Sequence, residues 1–372
     1  MTAIKRVLFV HQGAELYGSD RTFVQSIRAC RERFPRWRIT VFLPERGPLV
    51  NALKPLVDDI VFVDMIVLRK STVKSLLLHP GKLIVRVRAA CRAIKSYDVV
   101  YVNTIVVIDF ILASRFSRTP VIIHMHELPT GFLAKIFSGL LWWAKGRLIF
   151  NSRATRESIA LLGSKQFAVV ENGVAGGEDK QRKCADCVNL LMIGRLNSWK
   201  GQDLLLDALG QLPHAQLDKV KVRFVGGVYK DQHAFRDAVI AQCDRYGLRA
   251  IVEFYEFAPV PAEHYRWADV VVVPSRRPEP FGLVVIEAMS FGCAVIAARN
   301  GGMKDIVTHD ASGLFFEPDD VEELVACIQK YLDMPALARS HGNIGRAEFL
   351  KRYDERIYIR KIQDFLANVA GA

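Results

Sequence analysis

The chain alternates short apolar runs of four to six residues with helix-like segments along its whole length. Runs such as "RVLFV", "VVYV" and "VIIHM" are typical of parallel strands buried on both faces of a sheet. The rhythm stops in the charged, glycine-rich stretch "ENGVAGGEDKQRKCADC" and restarts with "NLLMI", "VKVRFV" and "VVVV". Two such series predict an α/β protein with two doubly wound domains joined by that linker.

The length of 372 residues fits two domains of roughly 150–200 residues each. We predict a first domain over residues 1–172 and a second over 173–345. The segment 346–372 is predicted to be helical, polar enough to lie on the surface, and packed back toward the first domain. Ligands of such sheets bind beyond the carboxyl ends of the strands, so the loops after strands are expected to carry function.

The start, "MTAIKRVLFV", runs directly into a strand-like segment, so no signal peptide is expected. No apolar stretch reaches the roughly 18–20 residues that span a bilayer. Seven cysteines without a secretion signal predict reduced thiols in a cytoplasm. Cys184 and Cys187 form a C-x-x-C, but without a second pair they indicate a surface loop rather than a zinc site.

The stretch "PSRRPEPFGLVVIEAMSFG" follows a strand and carries two glutamates, Glu279 and Glu287. Two prolines keep Glu279 in an extended loop, and a helix is predicted to begin near Gly282. The N–H groups of Phe281, Gly282 and Leu283 then form a helix N-terminus suited to a phosphate or to sugar hydroxyls. A nucleotide sugar has the shape to meet both carboxylates. The alternative on spacing alone is an ordinary loop glutamate and an ordinary helix glutamate.

Two cations, Arg195 and Lys200, lie five residues apart in the loop after the strand "NLLMIG". There they can bind both phosphates of a departing nucleoside diphosphate and offset its growing charge. The alternative is a solvated charged loop.

The predicted first domain offers two further candidates. In "FVHQGAELYGSDR", Gly18 allows close backbone approach to a phosphate before a helix that begins near Asp20, with Ser19 or Asp20 as its cap. In "IIHMHELP", His124 and His126 end another strand. A buried structural role is the alternative for both histidines.

Taken together, these segments resemble the retaining GT-B glycosyltransferases of family four. "EPFGLVVIE" matches the E-x7-E signature of that family, and "GRLNSWKG" matches its G-R-x-x-x-x-K-G segment. "ENGV", "ADVVVVPS" and "NGGMKD" resemble further family segments, although Asp305 stands where a glutamate is usual and Gly18 where two glycines are common. The resemblance is dense in the C-terminal half of the chain and thin in the N-terminal half.

The resemblance implies a GT-B fold, with two Rossmann-like domains that face a central cleft, and transfer with retention of configuration. It assigns Arg195 and Lys200 to the donor diphosphate and Glu287 to the ribose. Glu279 and His126 are assigned to the donor sugar and are our candidate catalytic residues.

No D-x-D, H-E-x-x-H or paired C-x-x-C occurs, so we expect metal-independent chemistry without a cofactor. Arg195, Lys200 and a helix N-terminus would then supply the positive charge. The absence of G-x-S-x-G and of a phosphate-binding G-x-x-x-x-G-K-[ST] loop argues against hydrolases and kinases.

The net charge of +12 lies entirely in the first half, where residues 1–175 hold 26 basic and 12 acidic side chains. Two basic segments interleave apolar residues: 65–97, in which Pro80-Gly81 is expected to break the helix, and "KIFSGLLWWAKGRLIF" with Trp142 and Trp143. This mixture favours an anionic membrane surface over nucleic acid. A solvated helix face is the alternative. The first segment has no acidic residue between its ends and contains Arg69, Lys70, Lys74, Lys82, Arg86, Arg88, Arg92 and Lys95.

The assembled prediction is a cytoplasmic hexosyltransferase, peripheral on the inner face of the plasma membrane. It would transfer mannose or glucose from a GDP- or UDP-linked donor to a lipid-linked oligosaccharide or glycan acceptor, as in polysaccharide or lipopolysaccharide biosynthesis. The alternatives are a sugar-nucleotide epimerase on the same fold and a non-catalytic nucleotide-sugar-binding subunit.

Overall fold

The computed structural model describes residues 4–16, 18–69, 72, 79–161, 165–178, 187–228, 232–258 and 261–371. The predictions made for Lys70, Lys74 and Cys184 lie outside these residues. The chain forms two compact units, Met1–Gly173 with Glu355–Ala372, and Val174–Asp354. Each is described separately below, as unit 1 and unit 2.

Unit 1 is built on a seven-stranded parallel sheet in the order β3-β2-β1-β4-β5-β6-β7. Strands β1, β4 and β5 are buried along almost their whole length, as their continuous apolar sequences predict. The chain reverses its direction of winding between β1 and β4, which are paired neighbours. The strands are β1 (Arg6–His11), β2 (Arg38–Leu43), β3 (Asp59–Phe62), β4 (Val99–Asn103), β5 (Val121–Met125), β6 (Arg147–Phe150) and β7 (Phe167–Val169).

Helices connect these strands and cover both faces of the sheet. Alternate residues of β1 point to opposite sides, so Val7 and Phe9 enter one apolar cluster and Leu8 and Val10 the other. Among the described residues 18–161, the α-helices are α1 (Gly18–Arg33), α2 (Pro48–Leu53), α3 (Pro80–Lys95), α4 (Ile108–Ala113), α5 (Gly131–Trp143) and α6 (Arg153–Glu157).

One local prediction in unit 1 is wrong. Helix α1 begins at Gly18, so Ser19 and Asp20 lie inside its first turn instead of preceding it as caps. Within the basic segment, His79 is not helical and Pro80 starts α3. Proline suits this position because it lacks only an N–H that a first helical turn leaves unpaired anyway.

Unit 2 repeats the architecture with a six-stranded parallel sheet in the order β10-β9-β8-β11-β12-β13. Here the winding reverses between the paired neighbours β8 and β11. Its strands are β8 (Val188–Ile193), β9 (Val220–Val225), β10 (Val252–Tyr255), β11 (Val270–Val273), β12 (Ala294–Ala298) and β13 (Gly313–Phe316). Its helices are α7 (Gln202–Gly210), α8 (His214–Leu217), α9 (His233–Arg245), α10 (Ala262–Trp267), α11 (Leu283–Ser290), α12 (Met303–Ile306), α13 (Val321–Asp333) and α14 (Pro335–Arg352).

The segment 346–372 was predicted as one helix that packs back toward the first domain, and the structure has two helices there, the second of which belongs to unit 1. Helix α14 ends at Arg352 within unit 2, and a second helix, α15 (Glu355–Ala370), belongs to unit 1. Tyr358, Ile362 and Leu366 are buried in the unit 1 core, since their i, i+4 spacing forms one apolar stripe. The Tyr358 hydroxyl lies 2.7 Å from that of Ser26 on α1.

Exposed apolar side chains lie on α3 and α5. Ile84 and Val85 are exposed on α3, and Phe132 on α5 is 77% exposed. Trp142 and Trp143 are exposed at the end of α5. None of the helices in the described ranges combines the length and the apolar character that crossing a bilayer requires.

Ile362→Ala should lower the free energy of unfolding of unit 1 by about 2–5 kcal/mol, because it leaves a cavity in a packed core. Urea titration followed by hydrogen exchange in peptides from α1 and α15 measures the loss. The matched control is Asp364→Ala, an exposed position on the same helix. Equal stability of the two variants would show that α15 does not form part of the core.

Candidate active site

The loops that meet at the winding reversal of unit 2 bring a lysine and a glutamate together. Lys200 lies in the loop after β8, and Glu279 lies in the loop after the neighbouring strand β11. The Lys200 Nζ donates to Glu279 Oε1 over 2.6 Å. Reversal points of this kind are where doubly wound sheets bind ligands.

The environment keeps Glu279 ionised. Burial alone would raise the pKa of Glu279, but the charge of Lys200 and hydrogen bonds from Lys200 and Ser275 outweigh burial, so the pKa lies below its usual value. The Lys200 and Glu279 side chains are only 23% and 19% exposed. The site therefore holds a fixed, mostly buried pair of opposite charges.

Two glycines let these loops approach closely. Gly201 has a φ of +84°, and a Cβ there would lie 2.2 Å from the Pro274 carbonyl oxygen. Gly301 has a φ of +51°, and its Cβ would lie 2.2 Å from the Glu279 carbonyl oxygen. That same oxygen accepts a 2.8 Å hydrogen bond from the Gly302 N–H. The glycines of "WKG" and "NGG" thus place Lys200 and Glu279.

Arg276 ties the two loops together. Its guanidinium donates to Asp203 over 2.7 Å, to Asp319 over 2.6 Å and to the Ser198 carbonyl over 3.0 Å. Arg276 was not predicted from the sequence as a site residue. Its position directly after "PS", at the end of a predicted strand, could have indicated a site residue.

The remaining predicted donor residues lie near the same edge of this sheet. Glu287 is in the second turn of α11, is buried, and accepts a 2.6 Å hydrogen bond from the Tyr265 hydroxyl. Phe281 and Gly282 immediately precede α11, which begins at Leu283. Arg195 follows β8, and its carbonyl accepts from Gln202 Nε2 over 3.1 Å.

A chain of buried polar side chains occupies the carboxyl edge of the unit 1 sheet. His126 Nε2 lies 3.0 Å from Asn103 Oδ1, Asn103 Nδ2 lies 3.0 Å from His11 Nδ1, and His11 Nε2 lies 2.6 Å from Asp20 Oδ1. His11 ends β1 and Asn103 ends β4, so this chain crosses the winding reversal of unit 1.

These hydrogen bonds determine the tautomer of His126. The amide oxygen of Asn103 only accepts, so His126 Nε2 carries the proton and Nδ1 is left as an acceptor. Burial and the neighbouring His11 lower the pKa of His126 to about 3, so the ring is neutral. Gly18 is the first residue of α1, two residues before Asp20.

His126 was predicted from the sequence as a site residue, but His11 and Asn103 were not. Both are polar residues that end predicted apolar strands, "RVLFVHQ" and "DVVYVNT", and that position was the signal. His124, the other candidate, is fully buried, and its Nδ1 lies 2.6 Å from the Tyr101 hydroxyl.

Comparison with known proteins gives matches at two levels. Residues 179–348 match the model of the family described as glycosyl transferases group 1. The chain is 38% identical to D-inositol 3-phosphate glycosyltransferase 1 of Catenulispora acidiphila over 52% of this chain and 50% of that protein. It is 32% identical to the sulfoquinovosyl transferase SQD2 of Arabidopsis thaliana over 47% of this chain and 32% of that protein. The chain thus spans half or less of the length of these curated relatives.

Solved structures match over almost the whole chain. HepE of Anabaena, in complex with UDP-glucose, superposes with a TM-score of 0.78 at 22% identity and covers 98% of this chain and 100% of its own. The lipopolysaccharide outer core galactosyltransferase WaaB superposes with a TM-score of 0.76 at 16% identity, over 99% of each chain.

The two doubly wound parallel sheets and these likenesses define a GT-B fold, and the predicted fold class is confirmed. Residues 179–348, slightly less than half of the chain, are similar to the family of glycosyl transferases group 1.

Gly301→Ala should destabilise unit 2 by about 1–3 kcal/mol more than Gly247→Ala. Both positions have positive φ, but a Cβ at Gly247 meets nothing within 4 Å, whereas one at Gly301 meets the Glu279 backbone. Urea unfolding of the two variants measures the difference. Equal stabilities would mean that the loop that carries Glu279 can move to accommodate the added Cβ without a loss of folding free energy.

Glu127 should make stability depend on pH near neutrality. Its Oε2 accepts from the backbone N–H groups of His126 and Ile105, and burial raises its pKa to about 7. A pKa raised by folding stabilises below the unfolded value, and that stability is lost as pH rises through 7. Between pH 5.5 and 8, wild type should therefore lose about 2 kcal/mol relative to Glu127→Gln. Parallel pH profiles of the two proteins would contradict the assignment.

Proposed function

We propose that the protein is a metal-independent, retaining glycosyltransferase that transfers a hexose from a nucleoside-diphosphate sugar to a lipid-linked or glycan acceptor. Unit 2 binds the donor and unit 1 binds the acceptor. The observation that carries the proposal is the Lys200–Glu279 pair at the winding reversal of unit 2.

The pair suits a donor because its two members have different tasks. The Lys200 ammonium, together with Arg195 from the same loop, neutralises the diphosphate that leaves, and no divalent ion is assigned this task. The ionised Glu279 carboxylate accepts hydrogen bonds from the hydroxyls of the donor sugar. Glu287, in the second turn of α11, is assigned to the ribose hydroxyls. The N–H groups at the start of α11 are assigned to a phosphate.

The reaction exchanges one bond of the anomeric carbon for another. The bond to the diphosphate oxygen breaks, a bond to the acceptor hydroxyl oxygen forms on the same face of the sugar, and the hydroxyl proton passes to the departing phosphate. His126, with its Nδ1 free of the Asn103 hydrogen bond, is assigned to a hydroxyl of the donor sugar.

The relatives support the choice of donor and acceptor class. HepE has been crystallised with UDP and with UDP-glucose, which favours a uridine donor over the guanosine alternative. The curated relatives named D-inositol 3-phosphate glycosyltransferase act on a phosphorylated acceptor by name, and WaaB is named for lipopolysaccharide outer core. Glucose or mannose on a cell-surface glycan precursor is the corresponding proposal here.

The membrane part of the proposal rests on α3 and α5. Phe132, Leu133 and Ile136 are exposed on α5 beside the exposed Lys135, and Ile84 is exposed on α3 between basic residues. Apolar side chains among cations suit the interface of an anionic bilayer, which attracts each nearby cation by about 1 kcal/mol. We therefore propose a peripheral position on the inner face of the plasma membrane.

Glu279→Gln and Lys200→Ala should each reduce kcat/KM for sugar transfer by about 100-fold or more, because each removes charge or polarity from the transition state. The assay supplies labelled UDP-glucose or GDP-mannose with a lipid extract. The matched control is Glu253→Gln, which removes one member of the exposed Arg223–Glu253 pair in the same unit and should leave kcat/KM unchanged.

Sugar transfer by both site variants at the rate of the control variant would contradict the assignment of Lys200 and Glu279 to the active site. An arm without acceptor tests the epimerase alternative, since an epimerase converts the nucleotide sugar alone.

A further inference from the structure

A cavity of about 400 Å³ opens at the amino-terminal edge of the unit 1 sheet. It lies where β5, β6 and β7 begin, at the edge opposite to His11, Asn103 and His126. Four cationic side chains line it, Arg118, Lys145, Arg147 and Lys165, with Thr119 and Gln166 as further polar groups.

The cavity has an unbalanced charge. None of its lining residues is acidic, and across the described parts of the chain none of the four cations forms an ion pair with a carboxylate. Burial and the charge of nearby Arg115 lower the pKa of Lys165, as expected where like charges converge. An anion bound there would relieve this repulsion.

Neutral groups hold two of the cations in place. Arg147 Nη1 donates to Asn368 Oδ1 on α15 over 2.8 Å, and Lys165 Nζ donates to the Ala144 carbonyl over 2.5 Å. Both contacts orient a cation without cancelling its charge. Charge-assisted hydrogen bonds from several such donors are the usual means of binding phosphate.

We propose that this cavity binds the phosphate group of a phosphate ester. A bare phosphate would fill only part of 400 Å³, whereas an ester with its attached group fits the usual size of small-molecule sites. The ester is either the headgroup of an anionic phospholipid or a soluble phosphorylated molecule. The site does not depend on the transfer reaction.

The surroundings favour the lipid source. Trp143 and Phe116 are exposed next to the lining segments, and the Arg115 guanidinium lies 5.7 Å from the Trp143 ring. Aromatic side chains beside cations are typical of the headgroup region of a bilayer.

The double variant Arg118→Gln/Lys145→Gln tests the site, since both side chains are exposed and their replacement should leave the fold intact. The matched control, Arg33→Gln/Arg36→Gln, removes the same charge from exposed positions of unit 1 outside the cavity. One arm titrates glycerol 3-phosphate by calorimetry. The other floats the full chain with phosphatidylcholine vesicles that contain phosphatidic acid or lack it.

We expect the cavity variant to bind at least one of these two probes about tenfold more weakly than the control variant. A loss confined to vesicles with phosphatidic acid identifies a lipid headgroup, and a loss confined to glycerol 3-phosphate identifies a soluble ester. Equal loss in both variants would mean diffuse surface attraction, and no binding of either probe to wild type would also overturn the site.

Discussion

The contact between Lys200 and Glu279 is the constraint on which the unit 2 site depends. These residues are 79 positions apart in the chain, and parallel pairing of β8 with β11 brings them to one point. A mostly buried ion pair gains Coulomb energy but loses hydration, so its net contribution to stability is small. The close approaches at Gly201 and Gly301 and the Arg276 bridge are what keep the pair in place. An ion pair that is held in place by special backbone geometry, although it adds little to stability, is typical of a functional site.

Unit 1 uses the same geometric principle with different chemistry. At its winding reversal, His11 from β1 and Asn103 from β4 form part of a directed chain of hydrogen bonds that ends at the Asp20 carboxylate. No cation is assigned to this chain, and the ring of His126 is neutral. The two winding reversals therefore differ in chemistry: unit 2 has a lysine–glutamate ion pair, and unit 1 has a hydrogen-bonded row of histidine and asparagine side chains that ends at a carboxylate.

Much of this architecture could be predicted from the sequence because the strands are locally encoded. Buried parallel strands need continuous apolar runs, and "VVYVN" and "ADVVVV" are runs of this kind. The three-residue β7, "FAV", was too short to be recognised. Arg276, His11 and Asn103 were missed because their partners lie 73 and 92 positions away, beyond any local periodicity.

For the C-terminal helix, the sequence indicated packing toward the first domain but not the depth to which one face is buried. Its polar residues dominate the composition, but Tyr358, Ile362 and Leu366 form a stripe whose partner, α1, lies at the other end of the chain. A surface helix and a core helix with one narrow apolar face have nearly the same sequence statistics, and only tertiary packing distinguishes them.

That helix also determines the order in which the molecule can be completed. The residues of unit 2 form one continuous stretch, Val174–Asp354, whereas unit 1 closes only when Glu355–Ala372 is added. During synthesis from the amino terminus, the second sheet can therefore finish its core while the first still exposes the apolar groove on α1. A chain that ended at Asp354 would therefore retain every residue of unit 2 but leave the apolar face of α1 uncovered.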